Sequence, residues 1–313
     1  MNLEQNKIYS KLLSKFKFNE VQKNQIKEGI EKNLDISWYA NPEFNKDQMI
    51  QIRLGLEEKL DVSIYAKTEF NAWQMEELRV ALYNKIDTSL FATPKYNYKQ
   101  MSQIFQGLFH GLDVSWYAKP EFDCWQMLYI RLGLEEELDV SWYAKPEFDW
   151  EQMRLIRGGI KEGIDPVIYA KPEYSRYLID SIIYGYKNNL NFLWYADPKF
   201  DDDQINVIID GLESDVDVSW YAKPEFDYLQ MKRILSGLLS NLEVSIYARP
   251  EFNEWQMSEI FKGLIKRLDV SHYANPEFYW GQMEQIRLGL EKKLDVSIYA
   301  KSEYKSSQME EIR

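Results

Sequence analysis

The feature that most constrains this chain is its period. A Tyr-Ala pair falls at Tyr39, Tyr65, Tyr117, Tyr143, Tyr169, Tyr195, Tyr221, Tyr247, Tyr273 and Tyr299, and Phe91 fills the one gap, so successive places stand 26 residues apart without insertion or deletion. The stretch LDVSWYAKPEFD at 112–123 recurs letter for letter at 138–149. Residues 49–67 and 283–301 differ at two positions only, which points to duplication. The N-terminal segment keeps the register, since Asn19, Gln22, Ile26 and Gly29 precede Asn45, Gln48, Ile52 and Gly55 by 26 residues each. A short fixed period means that one unit cannot bury its apolar face alone and must stack on its neighbours.

Each unit reads as two helices. Asp123 followed by Gln126 is a capping box, and the same pair recurs as Asn45/Gln48, Asn97/Gln100 and Asp227/Gln230. Met127, Ile130 and Leu134 then follow at helical spacing. Gly111, Gly163, Asn33, Asn189 and Asn241 stand where this helix should stop. A second, shorter helix is expected from Asp113 onward, reading D-V-S-W-Y-A and ending at Pro120. Pro166 directly after Asp165 fits a first helical position. The expected fold is all-α, a right-handed αα-solenoid of about twelve 26-residue two-helix repeats. It is expected to be one continuous solenoid over residues 1–313, with 1–33 a degenerate capping repeat and 299–313 an incomplete final one.

Most constant positions have a packing explanation. Nine of the ten methionines share one register, from Met49 to Met309, at core spacing beside the isoleucines. A glycine recurs in mid-helix, as at Gly55 and Gly133, with Ala81 the one swap. Mid-helix glycine costs about 1 kcal/mol against alanine, so a close approach to that helix is expected. The phenylalanines before each cap, such as Phe122, occupy the staple position.

Little in the chain points to catalysis. His110 and His272 lie in different registers, and no P-loop, GxGxxG or CxxC is present, so no metal site, cofactor or catalytic residue is expected. His272 stands where other units carry Trp or Ile and is expected to pack like them. Glu135–Glu137 and Asp201–Asp203 are raw material for a carboxylate-based hydrolase, yet they fall at helix ends, where the plainer reading is a solvated terminus. Cys124 is the first residue of a helix, where a thiolate is stabilised, but it lacks a paired base. As the only cysteine it forms no internal disulfide, which fits a reducing, cytoplasmic setting. No run of about 18 apolar residues predicts a membrane span. The net charge of −12 opposes nucleic-acid binding and favours a partner with a basic or mixed surface.

A binding face is sought where the units differ. Four registers on the long helix, separated by four, three and four residues, share one side. They swing between charge and aromatic, and the candidate partner-binding residues drawn from them are Tyr98, Phe105, Phe109, Trp150, Arg154, Arg157, Tyr228, Lys232, Leu235 and Phe261. Drift on an idle surface yields polar residues rather than such apolar clusters. The competing explanations are packing between units and association with a second copy of the chain. Trp73, Trp125 and Trp255 occupy the neighbouring register, either rimming this face or packing on the adjacent Pro-Glu-Phe loop. The expected function is therefore a non-enzymatic protein-binding scaffold. The alternatives are a nucleic-acid-binding helical repeat protein, which would stack bases on the aromatics, and the hydrolase.

The architecture resembles the tetratricopeptide and Sel1-like superclass of short helical repeats, with a shorter period and without their signatures. The unit YAKPEF…QM..IRLGL is itself similar to repeats in uncharacterised proteins of Firmicute bacteria and their phages or mobile elements. That resemblance spans nearly the whole chain and carries no site residues over. It implies a bacterial or mobile-element binding protein, and in its most specific form an inhibitor of a host defence complex that handles nucleic acid.

Overall fold

The computed structural model describes residues 1–313, with thirteen α-helices and no β-strand. The chain divides into two compact units, Met1–Pro166 and Val167–Arg313. The first holds α1 (Leu3–Lys15), α2 (Glu20–Glu31), α3 (Lys46–Glu57), α4 (Ala72–Tyr83), α5 (Tyr98–Phe109), α6 (Cys124–Glu135) and α7 (Trp150–Lys161). The second holds α8 (Arg176–Lys187), α9 (Asp202–Glu213), α10 (Tyr228–Leu239), α11 (Glu254–Ile265), α12 (Trp280–Glu291) and α13 (Ser306–Ile312). Within each unit every α-helix packs on the next, the stacking of an α-solenoid built from helical repeats. Helix α1 has no counterpart in the repeat pattern. It docks through Gln5, whose Nε2 donates to the Ile30 carbonyl at the end of α2, at 2.8 Å.

The capping box forms and also joins repeats. In α6 the Asp123 carboxylate accepts from the Gln126 N–H at 2.9 Å, and Gln126 Oε1 accepts from the Asp123 N–H at 2.7 Å. The other half of the same amide crosses to the next repeat, where Gln126 Nε2 donates to the Phe148 carbonyl at 2.6 Å. Gln22, Gln48, Gln100, Gln204, Gln230 and Gln256 make the equivalent bond. Helix α8 departs from this, because Leu178 stands in place of the glutamine after the Ser175 cap.

Each long helix of the repeat ends in a left-handed residue. These are Asn33, Lys59, Lys85, Gly111, Glu137, Gly163, Asn189, Asp215, Asn241, Arg267 and Lys293, with φ between 53° and 78°. In the first, the Asn33 N–H donates to the Ile30 carbonyl and the Leu34 N–H to the Gly29 carbonyl, the paired bonds of a Schellman motif. Glycine and asparagine were the visible stop signals. Lysine, glutamate, aspartate and arginine do the same work at a cost of roughly 1–2 kcal/mol each.

The expected second helix is a single 3-10 turn of three residues, such as Val114–Trp116. Asp113 caps it by accepting from the Ser115 N–H at 3.0 Å. The turn stops at Tyr117, whose φ of −133° leaves helical space. Three residues suffice because the turn only has to return the tyrosine to the helix it came from.

That return explains the glycines. Tyr117 is fully buried and its hydroxyl donates to the Gln103 carbonyl at 3.1 Å, inside the preceding long helix. Tyr39, Tyr65, Tyr195, Tyr221 and Tyr273 do the same to the residue fourteen positions earlier. A Cβ added at Gly107 would lie 1.9 Å from the Tyr117 hydroxyl. At Gly29, Gly55, Gly133, Gly185, Gly211, Gly237, Gly263 and Gly289 the figure is 1.8–2.1 Å. One repeat solves the problem differently: Ala81 replaces the glycine and Phe91, which has no hydroxyl, replaces the tyrosine. Both are fully buried. The rest of the core is the methionine and isoleucine stripe, for example Met127 and Ile130, together with the staple phenylalanines.

Candidate interaction surface

The third variable register lies largely inside the stack. Its arginines reach back to the residue 28 positions earlier. Arg53 Nε donates to Gln25 Oε1 at 3.0 Å, Arg79 to Gln51 at 3.0 Å and Arg131 to Gln103 at 3.0 Å. Arg287 Nε donates to the Glu259 carboxylate at 2.8 Å. Their outer nitrogens pair with acids, as Arg79 does with Glu58 at 2.6 Å and Arg131 with Glu135. Elsewhere the acceptor gives way to a ring, or to an arginine whose partner is a ring. Arg157 faces Tyr129, with its guanidinium 5.8 Å from the ring centre. Arg233 faces Phe261 at 5.3 Å, the same contact with its ends exchanged. The variation at this register therefore tracks packing between repeats. Of the candidates drawn from it, Leu235 is buried, and Phe105, Arg157 and Phe261 are half-buried.

The aromatic edge lies at the helix N-termini. Trp73 meets Tyr98 with ring centres 5.7 Å apart, Trp125 meets Trp150 at 6.1 Å and Trp255 meets Trp280 at 6.1 Å, the planes tilted by 32–40°. In each pair the second residue of one long helix meets the first residue of the next. The tryptophans thus pack on the neighbouring helix rather than on the Pro-Glu-Phe loop, and still present much of their surface to solvent. Trp73 is 62% exposed, Trp125 52% and Trp255 63%. Trp150 also lies nearly parallel to Tyr129, at 5.9 Å and 10°. So Trp150 and Arg157 meet on one ring, with Trp125 beside them.

The remaining candidates are outward. Phe109 is 55% exposed and contacts Phe105 at 5.9 Å. Tyr83, Leu239 and Ile265 share its register and are exposed too. Arg154 and Lys232 are exposed. The Lys232 ammonium lies 5.5 Å from the half-buried Tyr228 ring. Tyr129, Arg233 and Glu77 lie outside the four variable registers, in one that stands 28 residues before the Phe105, Arg157 and Phe261 register, so spacing along a single helix does not single them out. The signal was present in the sequence as a 28-residue offset between partners.

Clefts open between neighbouring helices, one of them between α3 and α4 at Gln51, Trp73 and Glu76. A second, of about 210 Å³, is lined from α4, α5 and α6 by Glu77, Tyr98, Lys99, Ser102, Gln103, Cys124, Trp125 and Leu128. Burial pushes the Glu77 carboxyl above its ordinary value, against a hydrogen bond from Ser102 and with help from Glu76. The Cys124 thiol is also pushed up, by burial and by the Asp123 charge, which is the reverse of the stabilised thiolate expected at a helix start. A further cleft, of about 340 Å³ between α8 and α9, collects Asp180, Asp210 and Glu213 beside Tyr177 and Tyr184. No group of three or more His, Cys, Asp and Glu converges to hold a metal ion. Glu135 and Glu136 pair with Arg131 and with Arg157 and Lys161, while Asp201 caps α9. His272 is exposed near the Asp269 carboxylate, at 3.8 Å, rather than packed. His110 lies 3.1 Å from Glu135. No helix is long and apolar enough to cross a membrane.

No protein-family model matches the chain, and neither the curated proteins nor the solved structures contain a significant match.

Proposed function

We propose that this chain is a non-enzymatic scaffold that binds a protein partner, with the aromatic edge at the helix N-termini as its principal contact. The observation carrying the reading is that Trp73, Trp125 and Trp255 each remain more than half exposed while in contact with a neighbouring ring. A tryptophan already in contact with a neighbour loses less conformational freedom when covered, and Trp, Tyr and Arg dominate interface hot spots. Phe109 and Tyr83 extend the apolar area along α5 and α4. The net charge of −12 directs the surface toward a partner with basic patches. Together with the repeat resemblance, this supports the narrower reading of a phage or mobile-element inhibitor that occupies the basic groove of a host nucleic-acid-handling complex.

The test is affinity capture with the intact chain, comparing wild type with Trp73→Ala/Trp125→Ala. A specifically retained protein should bind the variant roughly 30-fold or more weakly, the loss expected for a hot-spot residue. Equal retention by both, or saturable binding of DNA or RNA at low salt, overturns the reading.

A further inference from the structure

We infer that the cleft between α4, α5 and α6 is a receptor for one arginine side chain of a partner protein, with Glu77 as the acceptor and Tyr98 and Trp125 lining the entry. This deepens the scaffold reading by naming the chemistry that one part of the surface recognises.

The chain displays the interaction in five of its other repeats. Glu77 belongs to the register of Gln25, Gln51, Gln103, Glu259 and Gln285. Each of these accepts a hydrogen bond from an arginine Nε 28 residues later, at 2.8–3.0 Å. At Glu77 the residue 28 later is Phe105, so the arginine is missing. The register thus retains its acceptor, here with a full charge, and lacks its donor. Ser102 supplies the hydrogen bond Glu77 receives, and Glu76 adds a second negative charge rather than a compensating positive one. Lys99 lines the same cleft, yet forms no ion pair with Glu77. The comparison with Glu259 is direct. That carboxylate is held by Arg287 at 2.8 Å and by Lys262 at 2.5 Å, and it is buried.

Phe105 takes the arginine's place, and Glu77 lines an open cleft of the kind that the preceding repeat forms at Gln51, Trp73 and Glu76, here walled by two rings. Tyr98 and Trp125 line the cleft, as does the apolar Leu128. A guanidinium is planar, weakly hydrated and stacks on aromatic faces, whereas an ammonium is strongly hydrated and compact. A carboxylate beside aromatic walls therefore favours arginine over lysine. The arrangement Tyr129–Arg157 shows this chain already placing a guanidinium against a tyrosine ring, at 5.8 Å.

The experiment uses the full chain with tryptophan-indole nitrogen labelling and N-acetyl-arginine methylamide as the probe. The Trp125 resonance is assigned from Trp125→Phe. The arginine probe should shift that resonance saturably, while the citrulline analogue, of the same shape without charge, binds about tenfold more weakly or worse. Glu77→Gln should weaken the arginine probe to a similar degree. Glutamine is what Gln51 and Gln103 already place in the flanking repeats, so the fold has a precedent for it. Phe105→Arg restores the internal partner and should block the probe. Equal binding of arginine and citrulline, or binding unchanged in Glu77→Gln, overturns the inference. If the probe fails while partner capture still depends on Trp73 and Trp125, the arginine receptor falls and the scaffold reading stands. If the probe binds through Glu77 but capture ignores those tryptophans, the receptor stands and the aromatic-edge reading falls.

Discussion

The smallest unit of this structure is a pair, a glycine and the tyrosine ten residues later. The hydroxyl of Tyr143 would lie 1.9 Å from a Cβ at Gly133, so neither residue can change alone without cost. In the wild-type background Gly133→Ala should destabilise by about 1–3 kcal/mol, the usual range for overpacking. In a Tyr143→Phe background the hydroxyl is gone and Val140 Cγ1, at 2.9 Å, is the nearest remaining atom, so the same substitution should cost clearly less, with the helix propensity of alanine offsetting about 1 kcal/mol. Denaturant unfolding of the four proteins measures the coupling. Additive effects would remove the steric account. The Ala81/Phe91 repeat carries this double substitution together with Thr88 in the place of Val140, and all three residues are buried there.

At the scale of the element, one glutamine side chain closes a helix and fastens it to the next repeat. Gln126 accepts from the Asp123 N–H and donates to the Phe148 carbonyl, so both halves of its amide are used. Leu178 shows that an apolar side chain can occupy the register. Gln126→Leu should therefore fold but lose about 2–3 kcal/mol, since it deprives two buried backbone groups of partners. Hydrogen exchange should place the loss at the α6 start and the 146–148 loop, and protection unchanged there would contradict the dual role. The helix also explains why the short second helix did not form. A 3-10 turn brings the tyrosine back in three residues, and a longer helix would carry it past the glycine.

For the whole molecule, the repeated tyrosine becomes a collective property. Burial pushes the hydroxyls of Tyr39, Tyr65, Tyr117, Tyr143, Tyr195, Tyr221, Tyr247 and Tyr273 well above the ordinary tyrosine value. A folded pKa raised above the unfolded value of about 10 contributes stability that is complete below pH ~10 and is lost as the pH rises toward the folded value. Each such tyrosine removes about 1.4 kcal/mol per pH unit once the unfolded chain begins to ionise. Eight of them acting together predict a steep, cooperative alkaline unfolding just above pH ~10. Circular dichroism and tyrosinate absorbance should change in one transition. Smooth ionisation of these tyrosines with the helices intact would contradict it.

The sequence alone determined the period, the α-helical class, the capping boxes and the methionine core. These depend on spacing along one chain, and spacing is what a sequence records. The left-handed ends at Lys59 or Arg267 were invisible because the tertiary stack imposes a conformation those residues do not prefer. The variable face was legible as variable but not as to cause. Phe105, Arg157, Leu235 and Phe261 looked outward by register, yet they lie wholly or partly within contacts between repeats. Only the packed structure separates a side chain held by its neighbour, such as Arg157 on Tyr129, from one like Trp125 that meets a neighbouring ring and still faces water. That distinction depends on what lies one repeat away in space, and for this reason the stretch CWQMLYIR acquires its cleft and its exposed ring only when α4, α5 and α6 are set side by side.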